Sequence, residues 1–426
     1  MSKKFSAPRG TADILPAETH LWQNIERKAR KAFRQYNYTE IRTPLFEETG
    51  LFQRSLGQTS DVVNKQLLEL AANKEEGFAL RPEGTAPIVR AYVENSLNRK
   101  ENISKLFYIG PMLRGERPQK GRLRQFHQIG AEVIGPGAGH PYLDAEVIAL
   151  NVYLLKSFGL MEFDLKLNTL GTLADKEHFS RILREQLKNK VRGLCEDCRQ
   201  RYTRNVFRIL DCKNKSCRDV ILGLRIDHSH LSDESRSYFA KVTQALDNLG
   251  VTYKICYDLV RGLDYYTHTV FEISGDSLGS QDALSAGGRY NHLVNQLGGA
   301  DVPAIGFALG IERVILSLPN EFAAKAEPLQ VFVIALDEQY LGKAFKILEI
   351  LRAGGVSGDM SFQVTSVKSQ MRQANKSGAL TAIILGEEEE KKDMITLKDM
   401  THGDQKQVQM DELINEIETL CAKAGR

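Results

Sequence analysis

Residues Phe107 to Gly135 read FYIGPMLRGERPQKGRLRQFHQIGAEVIG: a strand, a long basic loop and a second strand. On the second strand Phe126, Gln128 and Glu132 share one parity, so all three point to the same face of a sheet. An aromatic ring, an amide and a carboxylate are poor core material together. Arg114 and Arg122 bracket the loop. A face furnished this way can hold something flat, something cationic and something anionic at once, which suits a nucleotide beside an amino acid. Taken alone, the hairpin is explained equally simply by one solvated face of an antiparallel pair. The rest of the chain decides between the two.

Upstream, Leu21 to Tyr36 has apolar positions at helical spacing, and Tyr38 to Pro44 reads as a short strand ended by proline. Phe78 to Arg81 leads into the tight turn RPEGT, and Ala86 to Asn95 reads as a helix. Between these, Leu67 to Gly77 is an irregular turn. Downstream, Tyr142 to Phe158 is an amphipathic helix and Phe163 to Asn168 a strand. From about Asp175 to Asp233 the chain turns rich in Arg, Lys, Glu and Cys with little strand signal, which predicts a small helical insertion. Strands return at Thr252 to Val260, Thr267 to Ser274 and Asp282 to Ala286. Ile305 to Leu318 reads as one apolar helix carrying Glu312 and Arg313. An arginine in so apolar a setting needs an anionic partner, either a ligand or a neighbouring acid such as Glu312.

Pro319 to Pro328 reads as a linker. After it come a strand (Leu329 to Leu336), a helix (Tyr340 to Ala353), a strand near Ser361 to Val364, a helix (Lys368 to Lys376) and a strand (Thr381 to Leu385). This alternation predicts a separate α/β domain of about 100 residues. The acidic run Glu387 to Glu390 reads as a solvated loop. The fold class that follows is an α+β unit over residues 1–325, with an antiparallel sheet flanked by helices and interrupted by a helical insertion, and an α/β domain over 327–426.

Bulk properties bound the partners. A chain of 426 residues with 42% hydrophobic and 26% charged residues is an ordinary globular protein. A net charge of +3 is too small to imply nucleic-acid binding, so any RNA contact must come from local basic clusters. The N-terminal MSKKFSAPRGTADILP has no apolar signal core and no segment is long and apolar enough to span a bilayer, so a cytoplasmic protein without membrane contact is expected. Of six cysteines, four cluster: Cys195, Cys198, Cys212 and Cys217. The first pair, CEDC, has zinc-knuckle spacing, and the second, CKNKSC, is looser but allowed. With only half the pattern strict, four half-buried free thiols are favoured over zinc.

Four segments now carry polar residues in unusual settings: RPEGT (Arg81 to Thr85), the Arg114 to Glu132 hairpin, LVRGLDYYTHTVFE (Leu259 to Glu272) and GFALGIER (Gly306 to Arg313). Together they resemble the class II aminoacyl-tRNA synthetases, and among these the histidyl-tRNA synthetases. YTEIRTPLFE is similar to the first class motif, the hairpin to the second and GFALGIERVIL to the third; RGLDYY and SAGGRYNHLV are similar to segments peculiar to the histidyl enzymes. The resemblance covers nearly the whole chain. One departure is that the Leu67 to Gly77 turn lacks an aromatic residue.

The resemblance implies an ATP-dependent ligase that activates L-histidine and transfers it to the 3′ end of tRNA(His), working as a homodimer with ATP and Mg2+ as its nucleotide substrate. Arg114 would meet the α-phosphate and Arg313 the γ-phosphate, with Arg122 helping to hold the phosphates, Phe126 stacked on adenine and Glu116 near the base. Arginine suits the phosphate roles because its donor fork matches phosphate oxygens and stays charged. Arg261 would bridge the histidine carboxylate and the α-phosphate. Glu83 would accept the α-ammonium, with Thr85 and Gln128 beside it. Glu132 and Tyr266 would bond the two imidazole nitrogens, with Tyr265 lining the pocket. A site that pairs both ring nitrogens rejects apolar rings strongly, so no editing domain is expected. Arg117 and Gln119, on the basic loop, would approach the acceptor stem, and the C-terminal domain would read the anticodon, with SVKSQMRQANK (Ser366 to Lys376) supplying basic and amide groups.

Two rivals share parts of this pattern. A regulatory subunit that partners a short ATP phosphoribosyltransferase would lack the C-terminal domain and have a degraded ATP motif, yet Arg114, Arg261 and Arg313 are all present. A class II synthetase for threonine, proline or glycine is disfavoured by RGLDYY and by the doubly polar pocket.

Overall fold

The computed structural model describes residues 5–57, 60, 62–70, 77–119, 121–275, 283–319 and 328–424. Two compact units divide the chain, Met1–Ala324 and Lys325–Arg426. The first contains strands β1 (Thr39–Glu40), β2 (Phe46–Glu48), β3 (Leu68–Leu70), β4 (Phe78–Leu80), β5 (Ser104–Leu113), β6 (Gln125–Ile134), β7 (Asp164–Thr169), β8 (Lys254–Ile255), β9 (Thr267–Ser274), β10 (Ala283–Arg289) and β11 (Ala304–Gly310). Its helices are α1 (Pro16–Gln35), α2 (Thr49–Leu56), α3 (Thr85–Glu94), α4 (Pro141–Phe158), α5 (Leu173–Leu187), α6 (Glu196–Arg204), α7 (Lys215–Leu222), α8 (Asp233–Asn248), α9 (Leu293–Gln296) and α10 (Ile311–Ser317).

Eight strands form one sheet in the order β1-β5-β6-β11-β10-β9-β7-β8. Every inner pairing is antiparallel; only the marginal pairs β1–β5 and β7–β8 are parallel. The alternation on β6 divides the sheet's two faces. Ile129, Ala131 and Val133 pack with Ile305, Phe307 and Leu309 of β11 against Phe33 of α1, Val147 and Leu154 of α4 and Val242 of α8. The opposite parity faces α2, α3 and the insertion, and part of that face remains open as a cavity.

Local chemistry fixes the long helix on which the sheet rests. His140 caps α4 by accepting the Tyr142 amide at 3.2 Å, Pro141 occupies the first turn, and Gly159 at φ 105° ends the helix in a left-handed conformation. Asp144 of α4 forms a fully buried ion pair with Arg289 of β10 and also accepts the Tyr238 hydroxyl at 3.0 Å. Removing one member would strand a charge in the core, so the pair ties β10 to α4 specifically.

The insertion is helical, as its composition predicts, and Asp175 closes it. Asp175 completes a capping box with Thr172 at the start of α5, then accepts the Ser232 amide (2.7 Å) and the Ser235 hydroxyl (2.6 Å) where the chain returns. α8 belongs to the sheet's helical layer.

Three expectations for this unit need correction. Ile305 to Leu318 is a strand followed by a helix: β11 runs to Gly310 and α10 begins at Ile311. The period was two, with Ile305, Phe307 and Leu309 inward and Gly306, Ala308 and Gly310 opposite. A Cβ at Gly306 would overlap the Glu132 carboxylate directly across the ladder. The strand expected over Thr252 to Val260 shrinks to β8, because the Asn168 side chain takes the Tyr257 and Leu259 carbonyls (3.1 and 3.0 Å) in place of a ladder. The strand expected over Tyr38 to Pro44 shrinks to β1, beyond which the buried Arg81 takes the Thr43 carbonyl at 3.0 Å. Part of the Leu67 to Gly77 turn, the start of the Asp282 strand and most of the Pro319 to Pro328 linker lie outside the described residues.

The second unit has strands β12 (Val331–Ala335), β13 (Gly358–Met360), β14 (Thr381–Leu385), β15 (Ile395–Asp399) and β16 (Gln405–Val408), in the order β13-β12-β14-β15-β16. Its helices are α11 (Leu341–Ala353), α12 (Val367–Lys376), α13 (Glu387–Lys392) and α14 (Leu413–Ala424). β13 lies just before Ser361 to Val364, where a strand was expected. The acidic run is a helix, α13, instead of a loop. Its acids occupy the first turn and its lysines the last, which complements the helix dipole, and Lys391 pairs with Glu387 at 2.5 Å.

Candidate active site

A cavity of ≈ 210 Å³ opens on the polar face of the sheet. Its floor is the Gly306–Ala308–Gly310 parity of β11, which carries nothing larger than a methyl group. Cations gather at one side. Arg114 lies over the Phe126 ring, 5.0 Å from its centroid, and donates to the Pro82 carbonyl at 2.8 Å. Arg122 pairs with Glu116, and Glu116 also stands 3.7 Å from Arg114. Arg313 donates to the carbonyls of Gly121 (2.8 Å) and Ala283 (2.6 Å) and does not pair with Glu312. Burial, with Arg122 and Arg114 adding repulsion, pulls the Arg313 guanidinium below its usual range. A wall that crowds three arginines is arranged for a polyanion.

The other side is built for a small polar ligand. Glu83 accepts the Thr85 and Ala86 amides at 2.7 and 2.8 Å, at the N-terminus of α3. Burial nevertheless pushes its carboxyl up. Tyr265 and Tyr266 lie with ring centroids 4.6 Å apart, and burial pushes Tyr266 up to about 12. The buried Gln128 side-chain oxygen has no hydrogen-bond partner among the described residues, so it is left for a ligand or water. Arg261 pairs with Glu272; burial alone would lower its affinity for the proton, but Glu272, with Tyr266 and Asp211 adding to it, holds it above the usual range.

Of the residues singled out in the sequence, Glu83, Thr85, Arg114, Glu116, Arg122, Phe126, Gln128, Arg261, Tyr265, Tyr266 and Arg313 all line this cavity. Glu132 sits behind the wall, accepting hydroxyls from Thr85 (2.7 Å) and from Tyr290. Burial, against those two hydrogen bonds, pushes its carboxyl up to about 8. Arg117 and Gln119 are exposed on the loop, away from the cavity lining. In the second unit, α12 exposes Lys368, Arg372 and Lys376, whereas Gln370 is buried and bonds the Ala335 carbonyl at 2.8 Å, so that amide is structural.

Other residues support the site through partners that the sequence does not show. Glu312 accepts the His127 amide and ring Nδ1, each at 2.9 Å, and so closes α10 onto β6. Tyr108 is wedged between Gly84 and Gly130, where a Cβ on either would overlap its ring. Tyr290 and Glu272 lie in quoted motifs, but their roles as holders of Glu132 and Arg261 depend on strand register.

The four clustered cysteines converge. Their sulfurs all lie within 4.8 Å of one another, with Cys195 and Cys212 3.9 Å apart. The looser spacing of the second pair is absorbed by the turn between Cys212 and α7.

An antiparallel sheet of this order, with arginines gathered from a long hairpin and from a strand–helix unit into one cavity, defines the catalytic unit of a class II aminoacyl-tRNA synthetase. The histidyl-tRNA synthetase family profile matches residues 10–314, and an anticodon binding domain profile matches 330–420. A histidine–tRNA ligase of Halothermothrix orenii is 43% identical over 416 residues, covering 97% of this chain and 99% of that protein. One from a Geobacillus species is 41% identical over 96% of this chain and 98% of that protein. Among solved structures, apo histidyl-tRNA synthetase from S. aureus superposes with a TM-score of 0.80 at 34% identity, over 97% of this chain and 100% of the other. The chain belongs to the histidyl-tRNA synthetase family.

A Bacillus halodurans protein described as an ATP phosphoribosyltransferase regulatory subunit/histidyl-tRNA synthetase shares the fold, with a TM-score of 0.65 at 23% identity over 88% of this chain and 97% of that one.

Proposed function

We propose that this cavity carries out both steps of histidine–tRNA ligation, the activity that membership of the family assigns to the chain. ATP enters as its magnesium complex. Phe126 stacks on adenine, with Glu116 beside the base, while Arg114, Arg122 and Arg313 hold the phosphates. Histidine binds with its α-ammonium toward Glu83, Thr85 and Gln128 and its ring against Tyr265, between Glu132 and Tyr266. One carboxylate oxygen of histidine attacks the α-phosphorus, the bond to the bridging oxygen breaks, and pyrophosphate leaves with the electron pair. Arg261 stabilises the charge that gathers on the α-phosphate and the attacking carboxylate. The terminal adenosine hydroxyl of tRNA(His) then attacks the carbonyl carbon and AMP leaves.

The observation that carries this reading is the division of one cavity into a wall with three arginines and a doubly polar pocket, with Arg261 lining the same space. Histidine-dependent exchange of labelled pyrophosphate into ATP tests substrate and step together; absence of exchange with histidine refutes it.

Arg117 and Gln119 approach the acceptor stem in this reading, and the exposed Lys368, Arg372 and Lys376 of α12 meet RNA phosphates. No described helix is long and apolar enough to cross a membrane; we place the reaction in the cytoplasm. A chain ending at Ala326 is expected to keep pyrophosphate exchange if it folds, since the cavity is lined entirely from the first unit. Its tRNA charging is expected to fall by about tenfold or more once phosphate and base contacts in the second unit are gone. Unimpaired charging would rule out an anticodon role for that unit.

We also place a two-fold homodimer at the Pro44 segment. Leu45, Phe46 and Leu70, on or beside the small sheet β2-β4-β3, are exposed at 47, 49 and 40%. Sedimentation is expected to show a dimer at the lowest measurable concentration, and Phe46→Glu to shift it toward monomer. A stable wild-type monomer with full activity contradicts this.

A further inference from the structure

We propose that Cys195, Cys198, Cys212 and Cys217 form a tetrahedral zinc site that braces the 256–266 segment, and with it Arg261, from inside the helical insertion. The metal site stands on its own geometry; the bracing role rests on the activation chemistry proposed above.

The geometry fits the ion. Four thiolates about 2.3 Å from a tetrahedral zinc lie about 3.8 Å from one another. Cys195 and Cys212 stand at 3.9 Å and all four sulfurs fall within 4.8 Å. The Cys195 amide donates to the Cys217 sulfur at 3.2 Å, the kind of outer bond that orients and stabilises a metal-bound thiolate. Cys198 and Cys217 are fully buried and Cys212 nearly so, beside Leu194, Val206 and Ile209. Buried cysteines also serve as plain core residues. Packing alone, however, gives no reason for four thiols from two separated pairs to meet at one point.

The knot touches the chemistry through named contacts. The 256–266 segment has neither helix nor strand, so it must be held from outside. Asn205, at the end of the helix that begins between the first two cysteines, donates to the Asp264 carboxylate at 2.8 Å. The Arg208 guanidinium crowds Gly262, where a Cβ would sit 2.9 Å from it. Arg218, one residue beyond Cys217, stands 3.8 Å from the Asp258 carboxylate. Asn205 and Arg208 lie between Cys198 and Cys212, and Arg218 directly follows Cys217, so all three sit on chain that the knot would fix. Asn205 is thus a positioning residue for Arg261.

The test uses full-length protein purified from zinc-supplemented medium. About one zinc per chain is expected by atomic emission, and cobalt replacement should give the strong visible and thiolate charge-transfer bands of a tetrahedral tetrathiolate. Cys198→Ser and Cys212→Ser should lose both signals. Zinc-stripped wild type should lose about tenfold or more in kcat for pyrophosphate exchange, with the KM for ATP changed less than about twofold, and should recover on adding zinc chloride. Asn205→Ala keeps all four thiols, so it should keep zinc and still lose kcat, whatever the cysteine variants do to folding. Absence of zinc and of cobalt bands overturns the site. Full zinc occupancy, with unchanged kcat in both the stripped protein and Asn205→Ala, overturns the brace. Failure of the zinc-loaded wild type to exchange pyrophosphate counts against the activation reading instead, and leaves metal stoichiometry to decide the site.

Discussion

Arg261→Ala is expected to lower kcat for histidyl-adenylate formation by about 100- to 1000-fold, with a much smaller change in the KM for ATP or histidine. That is the size of effect seen when a placed donor is removed from charge that develops only in the transition state. Arg261 already has a carboxylate partner in Glu272, so the alanine variant also leaves an acid without its cation in a largely enclosed place. Loss of activity could then be blamed on the fold. Arg261→Lys separates the two. Lysine keeps a positive charge near Glu272 but lacks the two-pronged donor geometry, so it should unfold near the wild-type temperature and still lose most of its kcat. Rapid-quench measurement of the first turnover gives the answer. A lysine variant with normal turnover and a raised KM would make Arg261 a binding residue only.

The second large effect concerns Glu132. Glu132→Gln keeps volume and polarity but cannot become an anion, and should reduce kcat/KM for histidine by about a hundredfold or more. A carboxylate offers about four acceptor positions, and Thr85 and Tyr290 use only two of them, so acceptor capacity remains for a ligand N–H. The same change has a pH signature. Between the ordinary carboxyl value of 4.5 and about 8, the folded chain holds a proton on Glu132 that the unfolded chain has released. Ionisation therefore works against the folded state, and this contribution to stability is lost as pH rises through about 8. Glu132→Gln escapes that loss. Without substrate it should be more stable than wild type by a few kcal/mol near pH 9 and nearly equal near pH 4. Wild-type histidine affinity should rise with pH toward 8 as the anion forms, and the variant should lack that rise. Denaturant titrations at the two pH values, and histidine binding across the range, decide it. A glutamine variant that activates histidine as well as wild type excludes Glu132 from the pocket.

The site was largely legible because its residues sit on strands, where parity in the sequence is parity in space. Phe126, Gln128 and Glu132 needed only that rule to be grouped on one face. The error at Ile305 to Leu318 shows where it was not applied. Leucine, isoleucine and alanine serve either helix or buried strand, and the decisive clue was the alternating small residues Gly306, Ala308 and Gly310. Pairings across distant segments could not be read at all. Arg261 with Glu272, Tyr290 with Glu132 and Glu312 with His127 depend on which strands neighbour which. The four cysteines are visible as a group in the sequence, but their meeting at one point is not. Its second pair has a loose spacing in sequence, and only the fold shows that Cys212 and Cys217 end up beside Cys195 and Cys198. The acidic stretch at Glu387 is helical because of the order of its charges, acids first and lysines last, which net charge alone does not reveal.

Tyr108 has a consequence for how this cavity can vary among descendants. Its ring fills the space that a side chain on Gly84 or on Gly130 would need. The first glycine precedes the helix bearing Thr85; the second lies on the strand bearing Gln128 and Glu132. The three positions therefore form one unit of inheritance. A lineage can enlarge either glycine only after shrinking the tyrosine, and must then refill the gap from elsewhere. Single substitutions along that route pass through a clash or a void, so drift at the amino-acid pocket is expected to be slow even where no substrate atom is touched.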